Sequence, residues 1–546
     1  MAMRHGGQIL VDQLKTQGVE RVFSVPGESF LAALDGLHGS GIENIVCRQE
    51  GGAAMMAEAH AKVTGSPGVL FVTRGPGATN ASSGLHVAMH DSTPMVAFVG
   101  QVPLAHRDRS AFQEVDYRAV FGPLVKWAAE VESTDRLPEY VARAFQVAQS
   151  GRPGPVVLAL PEDILSAEAD TPDLPAAVPV IQPVDPATAR AALELLMAHE
   201  RPMIVAGGPG WSEKAQADLQ RLAEATGLPV AVTFRRQHYI DNAHPNYVGD
   251  LGVGSSPALL QRLRDADALL LLGTRMGDTA TLGYTTLDPR KPSKTIIHVH
   301  PDPDELGRVH RPDMAIAARA PDMLAAMAWI NDLKVHDRAE TAAGHAALQA
   351  WRRPQQTPGD VKMERIVSWL SDHLDGRGII TNGAGNYAAF VHRYHRYRRY
   401  GGQVGATSGS MGYGLPAAIA AKLARPGETV VCYAGDGCFQ MTLQELSTAR
   451  QYGADVIVIV ANNGRYGTIR AHQERQYPGR VSGTELWNPD YAALARAYGG
   501  TGHTVTATDQ FPDAFREAEK GGLHIIELRL DRDMLTTTYA LSDLPR

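Results

Sequence analysis

Short, unbroken apolar runs recur along this chain at helix-length intervals, and they leave few folds open. GVLFVT (68–73), ALLLLGT (268–274) and DVIVIVAN (455–462) are examples from three regions. A strand with one wet face alternates apolar and polar residues; these do not, so both faces are covered, as in a parallel sheet flanked by helices. Alanine-rich segments such as GGAAMMAEAHAKVTG (51–65) and NASSGLHVAMHD (80–91) supply the helices between runs. Further strands are expected at RVFSV, NIVC and PMVAFVG in the first region, at PMIVAGG, LPVAVT and TIIHVH in the second, and at GIIT, TVVCYAG and HIIELRL in the third.

Two polar, proline-bearing stretches separate these regions. Residues 169–186 contain Pro172, Pro175, Pro179, Pro183 and Pro186, a spacing that forbids a helix and favours extended backbone. Residues 351–360 form the second break. The chain therefore reads as α/β, with three doubly wound parallel-sheet domains at 1–168, 185–345 and 360–546, consistent with 546 residues being too many for one core.

Charge and cysteine content exclude several classes. A net charge of -7 over this length gives no electrostatic case for nucleic acid or an anionic membrane. The basic and aromatic run HRYHRYRRY (392–400) reads as a solvated helix end. Cys47, Cys432 and Cys438 are too scattered for a zinc site or a disulfide framework. No run approaches a membrane span and the first residues carry no signal-type apolar segment, so a cytoplasmic protein is expected.

In the third region, GDG (435–437) follows one expected strand, and the paired asparagines Asn462 and Asn463 follow the next, across the helical segment MTLQELSTARQYG. Consecutive parallel strands often lie side by side, so Asp436 and Asn463 are expected to converge at the carboxyl edge of the sheet. A carboxylate and an amide oxygen are hard donors suited to Mg²⁺ shared with phosphate, and Gly435 and Gly437 let backbone approach that phosphate. Either motif alone is a common loop. Together they point to a metal-diphosphate site.

At these residues the chain resembles the thiamine diphosphate enzymes, whose motif is GDG, some two dozen residues, then NN. The resemblance implies Mg²⁺ bound by Asp436, Asn463 and the main chain of Arg465. It likewise implies that Met411, in GSMGYGLPAAIAAKLA (409–424), supports the cofactor, and that GAGN ending at Asn386 contacts its diphosphate. Gly27, Asn80, Gly409, Gly435, Gly437 and Cys438 complete the implied cofactor contacts. Glu50, between an expected strand and helix, stands where the family carries the Glu that hydrogen-bonds the cofactor pyrimidine; without the resemblance it reads as a helix-start acid.

TRGPGATN (73–80), GQVP, AFQE and GRPGPVVLALPEDI look most like the acetohydroxyacid synthase (acetolactate synthase) branch, which places Phe112 and Gln113 near the reaction centre and gives Gln113 a catalytic role. The implied activity is decarboxylation of a small 2-oxo acid such as pyruvate, with transfer of the remaining unit to a second carbonyl. The implied assembly is a homodimer or homotetramer with sites between subunits. Non-oxidative decarboxylation, hydroxyketone cleavage and an inactive cofactor-binding subunit are the alternatives; the chain lacks the adjacent His pair of simple pyruvate decarboxylases. Against the branch pattern, His472 stands where a Trp is usual, PGES puts Glu28 in place of the usual PGGA, and Glu162 replaces a Lys. FAD in the middle region is open: Arg152 matches a flavin-contacting Arg, in a motif shared by members without flavin. His298 and His300 read as structural.

Overall fold

The computed structural model describes residues 3–543 and contains three six-stranded parallel sheets, distributed over two compact units. The first unit comprises residues 1–180, 406–427 and 440–456. Its strands are β1 (Arg4–His5), β2 (Arg21–Ser24), β3 (Glu43–Val46), β4 (Gly68–Val72), β5 (Met95–Gln101), β6 (Trp127–Glu130), β7 (Pro155–Pro161) and β8 (Glu168–Ala169). β1 and β8 form a small antiparallel pair, and the others are parallel in the order β3-β2-β4-β5-β7-β6. β4, β5 and β7 are buried along their whole length, as their uninterrupted apolar sequences require.

The second unit comprises residues 181–405, 428–439 and 457–546 and holds two sheets. In one, β9 (Pro202–Ala206), β10 (Val230–Thr233), β11 (Tyr247–Leu251), β12 (Ala268–Leu272), β13 (Thr295–His300) and β14 (Met314–Ala317) lie in the order β11-β10-β9-β12-β13-β14. In the other, β15 (Ile379–Asn382), β16 (Gln403–Gly405), β17 (Val430–Gly435), β18 (Ile457–Asn462), β19 (Thr501–Val505) and β20 (His524–Arg529) lie in the order β16-β15-β17-β18-β20-β19. The expected convergence is present: β17 and β18 are parallel neighbours, with Gly435 opposite Ala461. β1, β6, β7, β8, β11, β14, β16 and β19 were not foreseen. β14 and β19 each carry at most one fully buried residue, and their partly exposed sequences lack the apolar run that betrays a central strand.

Two local expectations need correction. The segment 392–400 is not a solvated helix end: the helix Tyr387–Tyr394 stops there, but His392, Arg393, Tyr394, His395 and Tyr397 are buried. Arg393 is accommodated by the Trp351 ring, 3.6 Å from its guanidinium carbon, and by the Trp351 and Thr537 carbonyls at 2.8 and 3.0 Å. Aromatic faces and carbonyls offset the cost of burying a cation, and composition does not reveal them. The single helix expected near 441–453 is instead a 3₁₀ turn, Leu443–Glu445, followed by the short helix Leu446–Gln451.

The proline-rich stretch holds no helix before Pro186, where the next one begins. Within the first unit Gln13 holds it at Leu174 through both backbone groups, at 2.7 and 3.0 Å. All three cysteines are buried free thiols. Among the described residues no helix is long and apolar enough to cross a membrane.

Candidate active site

In the first unit the sequence-selected residues gather at the carboxyl edge of its large sheet. Glu50 opens the helix Glu50–Thr64 directly after β3 and is 9% exposed. The Asn80 amide donates to its Oε2 at 3.0 Å. Gln49 caps the helix, accepting from the Gly52 N–H at 3.0 Å. Gly27 follows β2 and sits so tightly on Thr73 that an added Cβ would lie 2.3 Å from the Thr73 Cβ. A Cβ on Gly77 would lie 2.7 Å from the Thr73 methyl and 3.2 Å from Glu50 Oε1. These glycines let the loops after β2 and β4 close around the carboxylate.

Gln113 lies over the second of these loops. It adopts a left-handed backbone, φ 64°, in a stretch where Asp108 and Ser110 do the same. A Cβ on Gly75 would meet Gln113 Cβ at 2.8 Å, and the Gly75 N–H donates to the Tyr117 hydroxyl at 2.7 Å. Phe112 beside it is 72% exposed. Non-glycine residues held in this region cost about 1 kcal/mol or more and persist where surrounding structure imposes them. Gly409, φ 68°, and Met411, half-buried, belong to this unit too; the Gly412 carbonyl accepts from the Thr442 hydroxyl at 2.7 Å.

In the second unit Asp436 stands where β17 ends and is 4% exposed. Its Oδ1 accepts from the Gly437 N–H at 2.8 Å; its Oδ2 accepts from the Gly464 N–H at 2.9 Å and from Asn488 Nδ2 at 2.8 Å. Burial pushes its carboxyl above the ordinary range despite these donors, so a cation beside it would be welcomed. Asn463 follows β18 and donates to the Met534 carbonyl at 3.4 Å through its nitrogen, which leaves its amide oxygen as a donor atom for a metal. Arg465 lies two residues on.

A Cβ on Gly435 would meet the Tyr387 ring at 2.9 Å, and one on Gly437 the Tyr466 ring at 2.5 Å. The Cys438 thiol lies 3.4 Å from the Tyr387 hydroxyl, and the Asn386 N–H donates to the Thr468 hydroxyl at 3.0 Å. No cluster of three His, Cys, Asp or Glu side chains able to hold a metal occurs among the described residues. The oxygens of Asp436, Asn463 and the Arg465 main chain would instead supply a sparse, hard donor set. Such a set fits Mg²⁺ completed by phosphate and water.

Sequence reasoning missed one loop-bridging residue in each unit, Asn488 in the second and Arg74 in the first. Asn488 donates to Asp436 and also to Asn462 Oδ1, at 2.8 Å each, from a WNPD loop that carries no motif. Arg74, buried in the loop after β4, pairs with both departures from the branch pattern: with Glu162, and with Glu28 at 3.3 Å. Its signal was the double replacement by acids at Glu28 and Glu162. His472 is exposed and lies 3.1 Å from Arg475. Arg152 spends its guanidinium on the Ser92 hydroxyl and the Met89 carbonyl, at 2.9 and 2.7 Å. His298 contacts the Thr274 carbonyl at 2.8 Å, a structural role.

Comparison with known proteins covers nearly the whole chain. Residues 4–120 match the family profile described as "Thiamine pyrophosphate enzyme, N-terminal TPP binding domain", residues 189–327 its central domain and residues 383–528 its C-terminal TPP binding domain. The chain is 33% identical to the acetolactate synthase isozyme 2 large subunit of Escherichia coli, over 93% of this chain and 92% of that protein. It is 34% identical to the acetolactate synthase large subunit of Parasynechococcus marenigrum, over 92% and 83%. A probable acetolactate synthase large subunit of Methanocaldococcus jannaschii is 31% identical over 94% and 89%.

Proposed function

This chain belongs to the thiamine diphosphate-dependent enzymes, in their acetolactate synthase large-subunit branch, and from that premise we propose that it is a Mg²⁺-dependent carboligase. Its donor is a small 2-oxo acid such as pyruvate, and its acceptor a second carbonyl compound. The strongest single support is the similarity to acetolactate synthase large subunits along more than nine-tenths of the chain. The reading includes a cytoplasmic homodimer or homotetramer and the domain limits 1–168, 185–345 and 360–546.

Thiamine diphosphate, when bound, supplies the carbon nucleophile and the electron sink for decarboxylation. In this reading Glu50, oriented by Asn80, holds a proton against the cofactor pyrimidine. Asp436, Asn463 and the Arg465 carbonyl hold Mg²⁺. Gly435, Gly437, Cys438 and Asn386 face the diphosphate, Gly27 and Asn80 the pyrimidine side, and Gly409 and Met411 shape the bound conformer. Gln113, fixed over Gly75, orients the substrate carbonyl. Glu28 and Glu162, both paired with Arg74, and His472 stand where the branch carries other residues, so the acceptor is to be read from a panel of carbonyl compounds rather than taken from the branch. The side chain matched to a flavin contact, Arg152, is spent on Ser92 and Met89, and no step is routed through flavin.

Product analysis by proton NMR with thiamine diphosphate, Mg²⁺ and pyruvate, with and without FAD, tests this reading. Acetolactate, or a hydroxyketone once a second carbonyl compound is added, is expected without FAD. Acetaldehyde as the sole product across a panel of acceptors would replace the carboligase by a decarboxylase.

A further inference from the structure

The segment 443–452 lies between the GDG and paired-Asn loops in sequence, yet within the first unit it grips the strand and turn that deliver Glu50. Tyr452 receives the Val46 N–H at 2.8 Å and donates to the Asn44 carbonyl at 3.1 Å. Gln451 accepts from the Arg48 guanidinium at 2.5 Å. At the centre is Glu445, wholly buried, whose carboxylate accepts the Arg48 N–H at 3.2 Å, the Gln49 N–H at 3.0 Å and the Thr448 hydroxyl at 2.6 Å. Gly52 makes room for it: a Cβ there would lie 2.8 Å from Glu445 Oε1.

These N–H groups belong to the two residues just before Glu50. They have no partner inside the helix, and a side-chain acceptor that meets them fixes the entry of the chain. Gln49 then closes onto Gly52, so the backbone is held on both sides of Glu50. We propose that Glu445 is a positioning residue for Glu50: by accepting the Arg48 and Gln49 N–H groups it fixes the first turn of the Glu50 helix and with it the direction of the Glu50 carboxylate. The proposal rests on the reading of Glu50 given above.

A neutral acceptor of the same shape would suffice for geometry alone. A buried carboxylate is the costlier choice, since burial pushes its own proton affinity up while the three hydrogen-bond donors pull it down. The other ionisable groups facing Glu445 are the Arg48 guanidinium, which partly offsets its charge, and the buried Cys47 thiol, pushed up by burial first and by Glu445 second.

The test uses the full chain and the variants Glu445→Gln, Glu445→Ala and Glu50→Gln. Amide hydrogen exchange of the 44–52 peptide is read in the cofactor-free protein, and hydrogen–deuterium exchange at cofactor C2 is read across pH in the loaded protein. Glu445→Ala should lose peptide protection and slow C2 exchange by about tenfold or more, as displacement of a catalytic group by an ångström does. Glu445→Gln, a neutral acceptor of the same shape, should restore both the peptide protection and the C2 exchange rate. Unchanged peptide protection in Glu445→Ala, or wild-type C2 exchange once that protection is lost, would overturn the proposal while a slowed Glu50→Gln leaves the Glu50 assignment standing. Wild-type C2 exchange in Glu50→Gln would instead sink that assignment and the positioning role with it.

Discussion

Asn488 Nδ2 lies 2.8 Å from Asp436 Oδ2 and, with the same nitrogen, 2.8 Å from Asn462 Oδ1, so one amide bridges the loops that follow β17 and β18. The bridge keeps two oxygen-rich loops together before any cation arrives. Replacing Asn488 by Ala leaves a buried carboxylate short of one donor, a loss of about 1–3 kcal/mol. Mg²⁺ titration in the presence of thiamine diphosphate should then show half-saturation at roughly tenfold or more higher metal, since 1.4 kcal/mol corresponds to a factor of ten. An unchanged titration would mean that the loops are held by the Gly464 N–H alone.

Within the first unit, the Lys62 ammonium sits between Glu58, at 2.8 Å, and Asp91, two acids with wholly buried side chains. The Tyr413 hydroxyl donates to Glu58 at 2.5 Å, and the Thr407 N–H donates to Asp91 at 2.8 Å. The cluster therefore ties the helix that starts at Glu50 to the segment that carries Met411. Lys62→Met strips the cation from both acids, and breaking a buried pair in this way costs about 3–5 kcal/mol. Thermal unfolding of the apo protein should register a drop of several degrees. A smaller drop in Tyr413→Phe, which leaves the charges paired, would show that charge rather than hydrogen bonding dominates.

Acid sensitivity should trace to buried histidines of the second unit. Burial, then Arg235, lowers His392 to about 3; burial, then Arg352, lowers His395 to about 3. The unfolded rings protonate near about 6.5, so their contribution is present above that pH and is lost as pH falls toward the folded values. Between pH 7 and 5 each ring should cost about 2 kcal/mol. His392→Phe removes the titration and keeps an aromatic ring against Phe234, which His392 meets edge-on at 5.3 Å. Its apo unfolding temperature should depend on pH less steeply than that of the wild type; an identical slope would place the acid sensitivity elsewhere.

The layers of the fold were legible where a long apolar run was read as a strand, though the equally buried β7, inside GRPGPVVLALPEDI, was read only as a family motif. GVLFVT became β4 and DVIVIVAN became β18 because apolar periodicity reports burial directly. Edge strands such as β14 and β19, half wet, carry no such signature. Asp436 and Asn463 were legible because their chemistry sits at strand ends in a fixed order. Asn488 and Glu445 were not: each acts on backbone or side chains brought near only by folding, and an Asn in a loop or a Glu in a helical segment has an ordinary local explanation. The run 392–400 misled because charge reads as exposure until the rings and carbonyls that receive it are in view.

Gln113 offers a way to separate backbone strain from side-chain chemistry. Its φ of 64° is one that glycine adopts freely and alanine does not, and its main chain is pressed against Gly75. If the strained loop matters only for stability, Gln113→Gly should relieve about 0.5–1 kcal/mol relative to Gln113→Ala and turn over like the wild type. If the side chain orients the substrate carbonyl, both variants should lose at least about tenfold in kcat, the size of one lost hydrogen bond of about 1.4 kcal/mol in the transition state. Gln113→Asn, which tolerates the left-handed backbone and keeps a shorter amide, should then fall between wild type and alanine. The expected order of kcat is wild type, Asn, then Gly and Ala together, with Gly the more stable of the last pair. Wild-type kcat in Gln113→Gly would remove the side chain from the reaction and leave the loop a purely structural cover over Gly75.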